Sequence, residues 1–464
     1  MATTLTTPRA GLRRTRPVRA WWRDAAGLTA WTSVLFVVAL WVSGRGLQDL
    51  GTPAGFLTST GRLTGLLSAD LLLVQLVLMA RIPWVERSYG QDELARRHRL
   101  VGFTSIVLLL AHVVLISLGY AATDRTALVA EVWTLVTTYA GMLLAAAGTA
   151  ALILVAVTSA RAARRRMRYE SWHLLHLYAY LGAGLALPHQ LWTGADFTAS
   201  PVATAFWWTA YVLAAGVVLV FRLGLPLWLN VRHQLVVEQV VSEGPGVVSV
   251  YLTGRHVDRL AVVAGQFFVW RFAGPGWTRG KPFSLSAEPD GRRLRITAKD
   301  LGPGSRRLAT LRPGTRALFE GPYGTLTTAV RKRQKVAMFA AGTGITPIRA
   351  LLAELPYPPG QAVLFYRAGH QGELLFSGEL ENLAERRGVR LHYLLGRRSA
   401  AAGSWLPAGY ATVPDDTVLR HLVPDIADHD VYVCGPDAWT AAVLSAARRL
   451  GVPANQLHSE RFGW

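Results

Sequence analysis

Long apolar runs recur through the first half of the chain, at about 28–44, 63–80, 100–119, 131–158, 172–191 and 203–225. Each is near the ~20 residues that a helix needs to cross the hydrocarbon core, so the pattern predicts a six-helix transmembrane bundle. Beyond residue 226 the pattern changes. Residues 228–330 hold short alternating runs such as Leu235–Val237, Val247–Leu252 and Leu294–Thr297, with Gly and Pro between them. That reads as a small antiparallel β-barrel. Residues 331–464 alternate strand-like and helix-like segments: Lys335–Phe339, Pro347–Glu354, Ala362–Tyr366, Glu379–Arg386, Arg390–Leu394, Asp430–Val433 and Asp437–Leu450. This alternation predicts an α/β domain with a parallel sheet. The expected fold is a multi-domain membrane protein with boundaries at 1–25, 26–227, 228–330 and 331–464.

Composition sharpens this picture. Apolar residues make up 51% of the chain and charged residues 17%, against about 25% charged in a soluble domain. The mean hydropathy is +0.26. The net charge of +20 would suit nucleic acid, but its placement points to a membrane. Arginines cluster in the tail (Arg9, Arg13, Arg14, Arg16, Arg19, Arg23), in loop 81–99 (Arg81, Arg87, Arg96, Arg97, Arg99) and in loop 161–168 (Arg161, Arg164, Arg165, Arg166, Arg168), while the alternate loops carry few. The positive-inside rule then makes residues 1–25 a basic cytosolic tail and places both termini in the cytosol, with no need for a nucleic-acid partner. The single cysteine, Cys434, rules out a disulfide framework and a Cys-ligated iron–sulfur cluster.

Ionisable groups inside membrane spans are expensive and usually functional. The first half holds five histidines: His98, His112, His173, His176 and His189. His98 and His112 lie 14 apart on the third span, close to four full turns, so both face one side about 21 Å apart along the axis. His176 and His189, on a fifth span running the same way, are about 19.5 Å apart. His176 suits this match better than His173, whose rise to His189 is about 24 Å. Ideal helix leaves His176 and His189 about 140° out of phase; Pro188, Gly182 and Gly184 offer room for local rewinding. Two imidazole pairs at two depths suit two stacked b-type haems, each with two histidine ligands to its iron. Metal or proton transport through the same histidines is a separate reading. Asp70, within the second span near Gln75, serves either a proton path or a hydrogen bond to a polar neighbour.

In the second half, Gly342-Thr343-Gly344-Ile345-Thr346-Pro347 follows a predicted strand and opens a predicted helix. Glycines let backbone approach a pyrophosphate, and a helix start supplies N–H donors. Gly302-x-Gly304-Ser305-Arg306 reads as a second phosphate-holding loop, before a helix over 305–311. Lys281-Pro282-Phe283-Ser284 reads, taken alone, as an edge strand. Arg367, Arg397 and Arg398 follow strands at the adenosine end of such a sheet, where arginine forks suit a 2′-phosphate; this favours NADPH over NADH.

The first half resembles the ferric reductase-like transmembrane domain shared by NADPH oxidases and ferric-chelate reductases. The carriers are Arg81-x-x-Trp84-x-Glu86-Arg87-x-Tyr89-Gly90-x-Asp92-x-Leu94, then His98-Arg99 and His112, then Tyr169-Glu170-x-Trp172-x-x-x-His176 and His189. The resemblance covers about 30–225. It implies that His98, His112, His176 and His189 hold the iron of two haems, and it carries the same 13-residue spacing on the fifth span. The second half resembles the ferredoxin–NADP reductase superfamily over about 230–464, through Lys281–Ser284, Gly302–Ser305, Gly321–Gly324, Gly342–Pro347, Cys434-Gly435-Pro436 and Glu460–Trp464 in that order. The resemblance implies an FAD domain at 228–330. There Lys281, Pro282, Phe283, Ser284, Gly302, Gly304 and Ser305 bind FAD, with Phe283 against the isoalloxazine and Ser284 near its N5. Lys281 stands where many oxidase relatives have histidine. The resemblance implies an NAD(P) domain at 331–464, where Gly342, Gly344, Thr346 and Pro347 take the dinucleotide. Cys434, Gly435 and Pro436 lie by the nicotinamide, and Trp464 shields the flavin.

The expectation is a multi-pass plasma-membrane oxidoreductase, with a bacterial inner membrane suggested by the Arg- and Ala-rich composition. It moves electrons from cytosolic NAD(P)H through FAD and two haems to an extracytoplasmic acceptor: oxygen, a metal chelate or a periplasmic redox protein. Cofactors carry the chemistry, so no catalytic acid, base or nucleophile is expected. The alternative is a histidine-based metal or proton transporter with a nucleotide-sensing cytosolic domain.

Overall fold

The computed structural model describes residues 21–167, 169–198, 200–397, 403–410 and 412–460. The chain forms two compact units that part between Gly224 and Leu225.

The first unit is helical: α1 (Trp21–Ser43), α2 (Pro53–Leu78), α3 (Pro83–Tyr89), α4 (Gln91–Asp124), α5 (Leu128–Thr138), α6 (Met142–Ser159), α7 (Arg161–Arg166), α8 (Tyr169–Trp192), α9 (Ala195–Thr198) and α10 (Pro201–Val218). Among the described residues, five helices are long and apolar enough to cross a membrane: α1, α2, α4, α6 and the helix running from Pro201 to His233. Leu100 and Phe103 on α4 and Leu143 on α6 are exposed on the outside, while Ser59, Ser68, Asp70, Gln75 and Ser105 are buried between helices. Apolar outside and polar inside is the arrangement hydrocarbon demands, because unpaired polar groups there are costly.

Two expectations need correction. The run at 131–158 is not one helix: it breaks between α5 and α6, where Gly141 takes φ +82°. A Cβ at Gly141 would stand 2.8 Å from the backbone nitrogen of His189, so α8 crowds this point and only glycine fits. Helix α1 already includes residues 21–25 of the expected tail; residues 1–20 of that tail lie outside the described residues.

Small residues let the helices pack closely. On the α2–α4 contact, Ser68 Oγ donates to the Ser105 carbonyl at 2.8 Å and Ser105 Oγ to the Ser68 carbonyl at 3.0 Å. On the α6–α8 contact, a Cβ at Gly148 would stand 2.7 Å from the Gly182 carbonyl oxygen. Such approaches are typical of helices associating in lipid.

The second unit opens with α11 (Leu225–His233) and strands β1 (Val236–Gly244), β2 (Val247–Thr253), β3 (Phe267–Phe272), β4 (Lys281–Ser284), β5 (Arg293–Lys299) and β6 (Ala317–Tyr323), with α12 (Pro303–Arg306) between β5 and β6. They form two antiparallel three-stranded sheets, β1-β2-β5 and β4-β3-β6. Bridges Leu285–Ile296 and Val236–Arg316 join the sheets at both ends. Phe268, Trp270, Leu285, Ile296 and Phe319 fill the space between. The expected helix at 305–311 is instead α12 followed by a 3₁₀ turn over Arg307–Thr310.

The rest is β7 (Lys335–Ala341), α13 (Ile345–Glu354), β8 (Ala362–Ala368), α14 (Ser377–Arg387), β9 (Val389–Leu395), α15 (Asp415–Leu422), β10 (His429–Cys434), α16 (Asp437–Arg449) and β11 (Leu457–Glu460). The five strands are parallel in the order β11-β10-β7-β8-β9. The three central strands β7, β8 and β10 are buried along almost their whole length because both faces are covered, by α13 and α14 on one side and α16 with Trp405 and Leu419 on the other. Strand order reverses between β7 and β10, and ligands of such sheets bind at that switch point.

Candidate functional site

Two pairs of histidine rings meet between α4 and α8. The centroids of His98 and His176 are 5.9 Å apart, and those of His112 and His189 are 6.4 Å apart. With a metal–imidazole bond of about 2.0–2.1 Å, two rings sharing one metal along a common axis stand roughly 6.4 Å apart.

Each ring is anchored through Nδ1. His112 Nδ1 lies 2.8 Å from the Gly61 carbonyl oxygen, and His98 Nδ1 lies 3.2 Å from that of Gln75. A carbonyl only accepts, so both Nδ1 atoms carry the proton. Gln75 sits in the last turn of α2, where carbonyls lack helical partners. Gly61 is mid-helix, and its carbonyl is reached because residue 65 has no side chain: a Cβ there would stand 2.4 Å from His112 Nδ1. His189 Nδ1 lies 2.7 Å from Thr193 Oγ1, whose hydroxyl donates to the His189 carbonyl, so this Nδ1 also donates. His176 Nδ1 lies 3.1 Å from Ser159 Oγ. For His98, His112 and His189 this anchoring fixes the tautomer in which Nε2 holds the lone pair, the usual support of a metal-bound imidazole. The donor set therefore fits two bis-imidazole haems. Two nitrogens per level are what a porphyrin iron lacks, whereas a bare ion needs more ligands. Among the described residues, no group of three or more His, Cys, Asp or Glu gathers to hold an ion.

His173 is on the same helix, with its ring 6.5 Å from that of Trp172. Arg96 and Arg97 both pair with Glu93. Near His112, Arg62 is held by Asp49 at 3.0 Å and Asp196 at 2.6 Å.

In the second unit, β4 and the Gly302–Ser305 turn come together: a Cβ at Gly304 would stand 2.9 Å from the Lys281 side chain. Pro282 pairs with Val269 and Phe283 with Phe268 on β3. Ser284, one residue further, is buried, and its hydroxyl has no partner among the described residues. An orphaned buried hydroxyl at the end of a strand fits a bound polar ring edge such as flavin. Ser305 Oγ caps its own turn, accepting from Leu301 N at 2.8 Å.

The switch point holds the other motif. Gly342 takes φ +54°, and a Cβ at Gly344 would meet the Cys434 carbonyl at 2.1 Å. This loop and Cys434-Gly435-Pro436 thus lie against each other only because residue 344 is glycine. Thr346 Oγ1 donates to the Thr343 carbonyl at 2.9 Å, and Pro347 sits in the first turn of α13, where a proline loses no helical bond. Burial, and then the carboxylate of Glu460, push the Cys434 thiol well above its usual range. Arg367 is buried, with hydrogen bonds to the Ala368 and Gly396 carbonyls. Arg398 and Trp464 lie outside the described residues.

Two features go beyond the sequence reading, which held Glu460 only as part of the terminal motif and did not single out Arg295. Glu460 pairs with Cys434 across β10 and β11 and reaches Gly324, where a Cβ would stand 2.7 Å from its Oε1. Arg295, 5% exposed at its side chain, is clamped by Glu379 of α14 at 2.7 Å and donates to the Ser286 carbonyl at 2.7 Å. Arg295 alternates with Leu294 and Ile296 as a solvent-facing residue of a strand would, so its burial left no signal in the sequence.

Residues 64–187 match the ferric reductase like transmembrane component, and residues 338–444 match the oxidoreductase NAD-binding domain. Ferredoxin–NADP reductase B of Sorangium cellulosum is 31% identical over 209 residues, which cover 43% of this chain and 84% of that protein. The chain belongs to the ferredoxin–NADP reductase family. It joins a reductase module of that family to a ferric reductase-like transmembrane domain. A flavohemoprotein of Chromobacterium violaceum is 30% identical over 238 residues, covering 48% of this chain and 58% of that protein. The FAD/NAD-binding domain of a nitric oxide dioxygenase from Vibrio cholerae is 22% identical, with 50% of this chain and 99% of that domain covered and a TM-score of 0.39. The reductase module binds FAD and NAD(P)H, and the whole is a multi-pass membrane oxidoreductase.

Proposed function

We propose that the chain carries electrons across a membrane, from cytosolic NAD(P)H through FAD and two b-type haems to an acceptor on the other side. The observation that carries this reading is the pair of imidazole pairs between α4 and α8, each with its Nδ1 anchored. When bound, FAD converts a two-electron hydride donor into a one-electron source, and the haems relay single electrons. His98 and His176 would hold the inner haem, and His112 and His189 the outer one. Lys281 and the Gly302–Ser305 turn would bind the FAD phosphates, with Phe283 and Ser284 at its ring. Gly342, Gly344, Thr346 and Pro347 would take the dinucleotide pyrophosphate, with Cys434-Gly435-Pro436 at the nicotinamide. The thiol of Cys434, kept protonated, would pack there rather than attack. Arg398 would favour NADPH, and Trp464 would cover the flavin. Six spans with both termini cytosolic, α8 being the fifth in chain order, go with arginine-rich loops inside at the plasma membrane, a bacterial inner membrane on composition.

Oxygen, giving superoxide, and a ferric chelate are the acceptors this site can serve. The test is NADPH supplied on one side of sealed proteoliposomes, with ferric chelate or cytochrome c on the other. Transfer that depends on His112 and His189 supports the reading; its sensitivity to superoxide dismutase assigns oxygen as acceptor. NADPH oxidation with no transmembrane transfer to any acceptor overturns it.

A further inference from the structure

The imidazole anchors on α2, Gly61 and Gln75, are 14 residues apart, as His98 and His112 are on α4. Asp70 lies between them in depth, but nine residues from Gly61 is two and a half turns, which puts it on the opposite face of α2. It is 2% exposed. One carboxyl oxygen is hydrogen-bonded by Ser33 of α1. The other, Oδ2, is buried with no partner among the described residues. Ala69, next to it in the chain, and Leu66, one turn earlier on α2, belong to the apolar cluster that also holds Val37 and Trp207, and the indole N–H of Trp207 on α10 is likewise buried with no partner among the described residues.

A hydroxyl donating to one oxygen does not account for a carboxyl here. Asn would serve that bond without a chargeable group, and an ionised carboxylate with a bare oxygen is the expensive form in this setting. The titratable neighbours do not neutralise it. Tyr211 of α10 is hydrogen-bonded to Gln190. Arg62, eight residues away on α2, is held by Asp49 and Asp196. His98 and His112 of α4 face the other side of α2, and α1 offers the Ser33 hydroxyl.

We propose that Asp70 is a proton-binding site coupled to the redox state of the membrane unit: it takes up a proton when an electron arrives on the far side of α2 and releases it when the electron leaves. The inference rests on the two-haem reading above. For each electron that arrives, part of the carboxylate population takes a proton from water, about half a proton at most for a tenfold change in affinity, and returns it to water when the electron leaves. A unit charge across one helix, about 10–12 Å, at an effective dielectric near 20 changes proton affinity about tenfold, about 59 mV for a one-electron couple.

The test is a redox titration of the haem spectrum of the full-length protein in lipid nanodiscs, at a series of pH values, with redox-difference infrared spectra. The wild type is expected to show a midpoint that falls as pH rises, and a carboxylic-acid C=O band on reduction. Asp70→Asn should keep its haems but lose both the slope and the band. Asp70→Glu should restore a slope and a shifted band, which a merely structural hydrogen bond would not do. A haem-loaded Asp70→Asn protein with the wild-type slope and band overturns the inference alone. A preparation that binds no haem overturns the underlying reading and the inference with it.

Discussion

Gly65→Ala perturbs one ring of the site without replacing a proposed ligand. In an exposed helix Ala is favoured over Gly by about 1 kcal/mol. Here the added methyl would stand 2.4 Å from His112 Nδ1 and 2.8 Å from its Cε1, far inside van der Waals contact. The ring cannot swing away without giving up its bond to Gly61, a net loss of about 0.5–1.5 kcal/mol. Overpacking adds about 1–3 kcal/mol. The clash outweighs the propensity gain, leaving about 1–3 kcal/mol against the native ring orientation, a factor of roughly 5 to 150 in affinity for whatever His112 holds. Haem and FAD would be counted per chain in the purified protein. One haem in place of two, with FAD retained, is expected. Gly216→Ala, where a Cβ meets nothing within 4 Å, serves as the control. A Gly65→Ala protein with two haems and an unchanged spectrum would refute the assignment of His112.

Glu379→Ala strands the buried Arg295 guanidinium. A lost buried pair costs about 3–5 kcal/mol, reduced here because Glu379 is partly exposed and Arg295 keeps Ser286, so a loss of about 2–3 kcal/mol is expected in flavin-monitored melts. Burial opposes the Glu379 charge, but Arg295 and then Arg349 hold its carboxyl below the usual range. The clamp's stability is therefore present above the ordinary carboxyl range and lost as pH falls through the lowered value; Glu379→Ala should flatten that acid limb of the melting profile. The Cys434 thiol, pushed up by burial and Glu460, should react with an alkylating reagent at pH 8 at least tenfold more slowly than a free cysteine, and labelling at the free-thiol rate would contradict its placement.

The division into an apolar helical half and an α/β half was legible because membrane spans and parallel strands leave different hydrophobic periods. The helix spacing of His98 and His112 on α4 was legible for the same reason. Ideal phasing set His189 apart from His176, yet both rings reach those of α4; α8 contains Pro188, where rewinding is expected. The break at Gly141 was hidden, because hydropathy stays high across it and its cause is the backbone of another helix. The Gly61 and Gln75 carbonyls were invisible for a related reason: backbone acceptors are set by packing, and Gly65 shows its purpose only once His112 lies against it.

The most direct measurement is the reduced-minus-oxidised spectrum and haem count of the purified full-length protein, beside His98→Ala with His176→Ala and His112→Ala with His189→Ala. Two low-spin b haems per chain, reducible by NADPH, with one lost in each double variant, is the expected result. A protein that binds FAD and oxidises NADPH but holds no haem, or whose haems survive both double variants, would contradict the relay.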